Sequence, residues 1–258
     1  MRILVCIKQI ADAESRPIIT GNGSWAEYGN KTAYRLNRFD EHAIEEALLL
    51  KNADPGTEVD ILSIGPERVK TAVRRGIEMG ADRGVHINLE EKGYTSPLLK
   101  AGLIATYCKS AKYDLIITGV MSEDMMSGQT GPMIAALLGY PSAAGIIGLA
   151  LNRSKYSISV RRELDGASAC SMTIKLPALV TVQSGINRPR YPSLSNVMRA
   201  KTAVIEEIDQ REKTTPALCE NVHSVIETKQ QRAGLVLCGT TTEKAEALWQ
   251  MLHKKSLI

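Results

Sequence analysis

The chain has 258 residues, 44% of them apolar and 23% charged, with a formal net charge of +4 at pH 7. That length buries one large core, or one core with an appended arm, in an ordinary globular composition. A charge this small and spread out, with only 4% aromatic residues, excludes a nucleic-acid footprint, and no apolar run has the length needed for membrane insertion as a helix.

Met1 runs straight into the strand-like Arg2 to Gln9 with no leader pattern, so a cytoplasmic location is expected. Thr20 to Asn30, with glycines and asparagines around Trp25 and Tyr28, reads as a long loop or hairpin. Asp40 to Asn52 follows as a helix, because Ala43, Ile44, Ala47 and Leu48 recur at helical spacing. Glu58 to Gly65 reads as a buried strand, Pro66 to Gly80 as a helix opened by proline and closed by glycine, and Gly84 to Asn88 as a further strand. A helix over Ser96 to Ala111 leads into Tyr113 to Gly119, the strongest strand signal in the chain, and another helix starts near Gly131. The alternation predicts an α/β fold, a doubly wound, mostly parallel sheet with helices on both faces.

The rhythm then changes. Ser157 to Leu164 and Ser171 to Gln183 read as two consecutive antiparallel strands joined at Asp165-Gly166, an antiparallel extension of the sheet. Arg161 and Arg162 alternate on the first of them, so one is expected to face solvent or a partner. Gly185 to Lys201 reads as a loop: two prolines stiffen it, yet Leu194, Val197 and Met198 put apolar groups into basic, turn-rich surroundings, which marks a contact surface. Ala203 to Ile208 is a short strand, Asp209 to Gln231 is polar and irregular, and Thr242 to His253 is an amphipathic helix. The expected organisation is one domain over residues 1–208, with the contact loop at 185–201, and a C-terminal arm over 209–258 that docks on a partner.

Between the strand ending at Gly119 and the helix near Gly131, small residues let backbone N–H groups converge on an anion, and Ser127 and Thr130 add hydroxyls. An ordinary Gly-rich connection before a proline-started helix would read the same way, since both common phosphate-loop patterns are missing. If a nucleotide binds, the ends of the first strand (Cys6, Ile7, Lys8, Gln9) and of the Glu58 strand (Ser63, Ile64, Gly65) share its crevice. Glu123 and Asp124 would repel a phosphate unless turned outward, so they read as solvated loop residues capping backbone amides. The five cysteines lack any paired spacing and read as reduced core residues, and the four histidines lie far apart, so no metal site is expected.

Several of these stretches resemble the electron transfer flavoprotein beta-subunit family. Gly185, Asn187, Pro189, Arg190, Tyr191, Ser193 and Leu194 match its GxNxPRYxSL run; Ser63 to Pro66 matches its SxGP turn; Gln129-Thr130-Gly131 closes a similar loop; Met79 to Ile87 and Arg161 to Gly166 also resemble it. The chain departs from it in reading GVMSEDMM where many members read GxQAxDxD, and in having Ala13 where some carry an aromatic residue beside a flavin. The resemblance implies an adenine nucleotide alpha-hydrolase-like fold and AMP held by Cys6, Asn37, Ile64, Ser127, Gly128, Gln129, Thr130 and Gly131. It implies no catalysis by the chain alone, and an alpha-subunit partner carrying most of an FAD shared at the interface. It further implies docking through Tyr191, Leu194 and Met198 to flavin dehydrogenases such as acyl-CoA dehydrogenases, with delivery to a quinone-linked oxidoreductase. Two alternatives stay open: an electron-bifurcating relative with a second FAD in place of AMP, and an independent adenine-nucleotide-binding enzyme.

Overall fold

Strand β1 (Arg2–Ile7) lies inside the sheet with both faces apolar: Ile3 and Val5 turn to one side, Leu4 and Cys6 to the other, and all are buried. The computed structural model describes residues 1–20, 23–90, 93–166, 168–209, 220, 222–227 and 234–256. The apolar run expected to reach Gln9 breaks at Lys8, and β2 (Gln9–Ala11) leaves the sheet to pair antiparallel with β5 (Tyr34–Leu36). Between them β3 (Ile18–Ile19) and β4 (Ala26–Glu27) form the expected hairpin.

Helix α1 (Arg38–Ala53) then leads to β6 (Glu58–Gly65), a 3-10 turn at Glu67–Val69, α2 (Lys70–Met79), β7 (Arg83–Asn88), α3 (Pro97–Ala111) and β8 (Leu115–Gly119). Ser96 caps α3, its side chain accepting from the Leu99 N–H. Helix α4 (Thr130–Leu138) precedes β9 (Ser142–Asn152), β10 (Ser157–Glu163), β11 (Ala169–Lys175) and β12 (Ala178–Val182). The described strands form a nine-stranded sheet in the order β11-β10-β9-β12-β8-β1-β6-β7, closed at its far edge by β13 (Ile205–Asp209). Only β10 runs against its neighbours. Ile3, Val5 and Ile61 pack with α1 and α2 on one face, and Leu4, Leu62 and Ile116 with α3 and α4 on the other.

Three local expectations change. Ser171 to Gln183 is not one strand: β11 alternates as the edge of an antiparallel hairpin, then Leu176-Pro177 interrupts it, and the wholly buried β12 enters the sheet parallel to β8 and β9. Proline has no N–H for the ladder, so the break falls there. Strand β9 has no counterpart in the sequence reading, because Ala143, Ala144, Gly145 and Gly148 lack the β-branched signature on which that reading depends. On β10 a register shift between Arg161 and Arg162 stops the alternation and leaves both exposed.

Gly185 to Lys201 is a loop only as far as Ser193, whose hydroxyl accepts from the Asn196 N–H and starts α5 (Leu194–Thr202). Helix α5 lies on α2, with Arg199 donating to the Ile77 and Ala81 carbonyls. The polar stretch from Asp209 to Gln231 lies largely outside the described residues. Contacts divide the chain into units Met1–Val225 and Ile226–Ile258. The second contains α6 (Thr241–Lys254), begun by a reciprocal cap between Thr240 and Glu243, and no described residue of α6 is buried. Cys6 and Cys108 are core residues as expected, whereas Cys170 is half-buried and Cys238 exposed; Cys219 lies outside the described residues.

Candidate functional site

The carboxyl ends of β1, β6 and β8 border a cavity with an empty volume of about 870 Å³ including its open mouth. Cys6, Asn37, Ile64 and the run Ser127 to Gly131 all line it, so residues separated by up to 125 positions converge on one crevice. Helix α4 begins at Thr130 with its first turn at the cavity wall, and its cap residue Gln129 makes no side-chain capping bond. Its leading N–H groups can therefore serve an anion, as the loop reading required. Two glycines allow this packing. A Cβ on Gly131 would lie 2.6 Å from Thr181 Cγ2 and 3.0 Å from Thr118 Oγ1, and one on Gly119 would lie 2.4 Å from Asp40 Oδ1.

The loop after β8 is clamped to the start of α1. Asn37 Nδ2 donates to the Met121 carbonyl at 2.9 Å, and its Oδ1 accepts from the Glu123 N–H at 3.2 Å. Neither Glu123 nor Asp124 lines the cavity, and each meets a backbone N–H, that of Arg38 and of Met125. They are not merely solvated, however: Glu123 pairs with Arg35 at 2.8 Å and Asp124 with Lys8 at 2.7 Å. Burial raises both carboxyl pKa values, but Arg35 and Lys8 with the accompanying hydrogen bonds outweigh it, and both end below their ordinary values. The Lys8 charge is thereby committed to the loop.

Asp40, in the first turn of α1, is a crevice residue that periodicity did not single out as functional. Buried beneath the cavity, it accepts from the Lys8 N–H at 2.7 Å and the Gly119 N–H at 3.1 Å, joining the ends of β1 and β8. Burial lifts its pKa to about 7 against the pull of those donors, the Asn37 amide and the Lys8 charge. Burial, followed by Cys108 and Asp40, holds the Cys6 thiol well above its ordinary pKa, so Cys6 is a neutral wall. Thr95, Pro97, Lys100 and Ile104 complete the far wall from the start of α3. Their only advance signal was the position of α3 after β7, and its value depended on the strand order.

A wider vestibule adjoins the crevice, sharing Lys8, Thr95, Lys100 and Met125 with it and bordered by Trp25, Tyr28, Tyr34 and Tyr94. Trp25 packs on Tyr94 with ring centroids 5.4 Å apart, and the Arg68 guanidinium lies 4.0 Å from the Tyr34 ring centre. Elsewhere the fold gathers Glu67, His86 and Glu207, which the sequence did not associate, and Lys70 supplies the cation between the two carboxylates at 2.8 and 2.9 Å. On a separate surface Tyr191, Leu194 and Met198 are 94%, 80% and 57% exposed. Leu194 and Met198 stand one helical turn apart on the same side of α5.

Residues 29–213 match the family model described as electron transfer flavoprotein domain, a stretch that includes the loop after β8 and the exposed segment of α5. The chain belongs to the electron transfer flavoprotein family. It is 39% identical over 207 residues to electron transfer flavoprotein subunit beta of Bradyrhizobium diazoefficiens, covering 80% of this chain and 81% of that one. It is 34% identical to the Bos taurus beta subunit, covering 81% of each chain, and 31% identical to that of Bacillus subtilis over the whole of both. Strand β1, with Cys6 and Lys8, precedes the part matched by the family model, yet it forms one side of the crevice. Among the described residues no helix is long and apolar enough to cross a membrane.

Proposed function

We propose that this chain is the beta subunit of a heterodimeric electron transfer flavoprotein. It holds AMP in the crevice and shares an FAD carried mainly by the alpha subunit. It carries electrons from acyl-CoA or similar flavin dehydrogenases to a quinone-linked oxidoreductase and catalyses nothing alone. In this reading the C-terminal residues from 209 onward dock on the alpha subunit, and the complex works in the cytoplasm. The observation that carries it is the convergence of Cys6, Asn37, Ile64 and Ser127 to Gly131 around one cavity at the strand ends, with an uncapped helix start on its wall. Within that cavity Thr130 and the leading N–H groups of α4 would take the phosphate, while Ile64 and Cys6 offer apolar surface to a base.

A second FAD in place of AMP is the competing reading, favoured by the aromatic vestibule into which the crevice opens. Met125 lines both spaces, and its bulk there supports the smaller nucleotide over one with a ribityl chain. Co-expression with the alpha subunit, followed by extraction of the bound nucleotides, tests the choice. About one FAD and one AMP per heterodimer is the expected outcome, in line with one nucleotide per crevice. Two FAD with reduction by NADH would establish the bifurcating form, and turnover of a nucleotide by the isolated chain would establish an enzyme.

A further inference from the structure

Glu45 and Glu46 are neighbours on α1, only 4% and 6% exposed, and carboxylates are rarely buried unless something pairs with them. Among the described residues Arg190 satisfies Glu45: its backbone N–H and Nε donate to Oε2 at 3.0 and 2.8 Å, and Nη2 donates to Oε1 at 2.9 Å. Glu46 accepts from Asn187 Nδ2 at 2.8 Å, and the same nitrogen donates to the His42 carbonyl at 3.0 Å. With both Nδ2 hydrogens engaged, Asn187 Oδ1 is the acceptor at 3.0 Å from His42 Nδ1, so that nitrogen carries the ring proton. Two consecutive turns of α1 thus hold Asn187 and Arg190.

These bonds lie between Ile186 and Ala200, which pack against the core cluster, and precede residues that stay exposed. Tyr191 and Leu194 bury little, and Ala200 is the only described residue of α5 that is buried. What they determine is direction, because Pro189 and Pro192 fix φ at two of the six positions from Pro189 to Leu194. An orientation imposed at Arg190 is carried to Leu194 with little slack.

We propose that Glu45, acting through Arg190, is a positioning residue for partner docking: it sets the direction in which Leu194 is presented and does not itself touch the partner. The proposal rests on the docking role given to Leu194 above. Lysine keeps the charge of arginine but not its fork, so Arg190→Lys perturbs the direction while leaving a cation beside Glu45.

The test uses the heterodimer with its alpha subunit and a purified acyl-CoA dehydrogenase with its substrate, reading kcat and KM for the carrier. Arg190→Lys should raise KM by about tenfold at unchanged kcat and nucleotide content, the loss expected when a contact is displaced and not removed. In a Leu194→Ala background the same change should add less than about twofold, because both act on one contact. A lowered melting temperature with unchanged KM, or losses that multiply in the double variant, would overturn the proposal and leave the pair a structural tie. Failure of the dehydrogenase to reduce the wild-type complex, or a silent Leu194→Ala, would instead remove the docking reading on which it rests.

Discussion

Two buried aspartates show how one residue type acquires opposite pH behaviour from its surroundings. Asp60 on β6 is pushed up by burial, but Arg83 at 2.6 Å, Tyr113 at 2.7 Å and Arg2 at 3.3 Å outweigh that, and its pKa falls below the ordinary value. Its contribution is present above the unfolded-state pKa and is lost as the pH drops through the lower folded one. Asp40 forms no ion pair among the described residues and sits near 7 when folded, so its contribution is full below the unfolded-state pKa of 3.8 and declines as the pH rises towards 7. Asp60→Asn should therefore flatten the acid limb of the stability curve, while Asp40→Asn should remove a fall of at most about 1.4 kcal/mol per pH unit between about pH 4 and 7. Denaturant titrations of the three proteins across pH 3 to 8 check both signs. Neither environment was legible beforehand, since Asp40 falls at the start of a periodic helix and Asp60 inside an apolar run, and only folding shows what faces them.

At the scale of elements, the β-α alternation was readable because strands covered on both faces are continuously apolar and their crossover helices keep a 3.6-residue period. Strand β9 was not readable because its alanines and glycines carry no such signature, and the segment after Pro192 read as loop because two prolines masked the Ser193 cap. That cap has a functional consequence: Leu194 stands on the first turn of a helix, held more firmly than on a loop. Truncating a pocket-filling anchor costs about 1 to 3 kcal/mol, so Leu194→Ala should lower kcat/KM with a dehydrogenase by roughly 5- to 150-fold. The melting temperature and nucleotide content should stay near wild type, as its exposure implies. A large loss of thermal stability would assign the side chain to packing.

On the scale of the whole molecule, the sheet unit Met1–Val225 contains both hydrophobic clusters, whereas α6 in the second unit leaves Leu248 and Trp249 exposed. Under the proposed assembly, the apolar side of this capped helix is covered by the alpha subunit. Deleting residues 226–258 should leave the unfolding midpoint of the sheet unit within a degree or two, while weakening assembly with the alpha subunit by at least about tenfold. Calorimetry of the truncated chain and titration with the alpha subunit separate the two effects, and unchanged assembly would dismiss the arm as a docking element.

The sequence alone determined what depends on local pattern: the parallel α/β class, the small-residue turn at Ser127 to Gly131 ahead of a helix, and apolar side chains in a proline-stiffened segment. The tertiary structure decided everything that depends on strand order and register. It placed β12 between β8 and β9, turned the start of α3 into the far wall of the crevice, paired Lys8 with Asp124, and set Glu45 against Arg190 across 145 positions. Periodicity reports which way a side chain points relative to its own element, and it carries no record of which distant element lies opposite. Ion pairs and crevice walls are made by those distant neighbours, so they exist only once the sheet has closed.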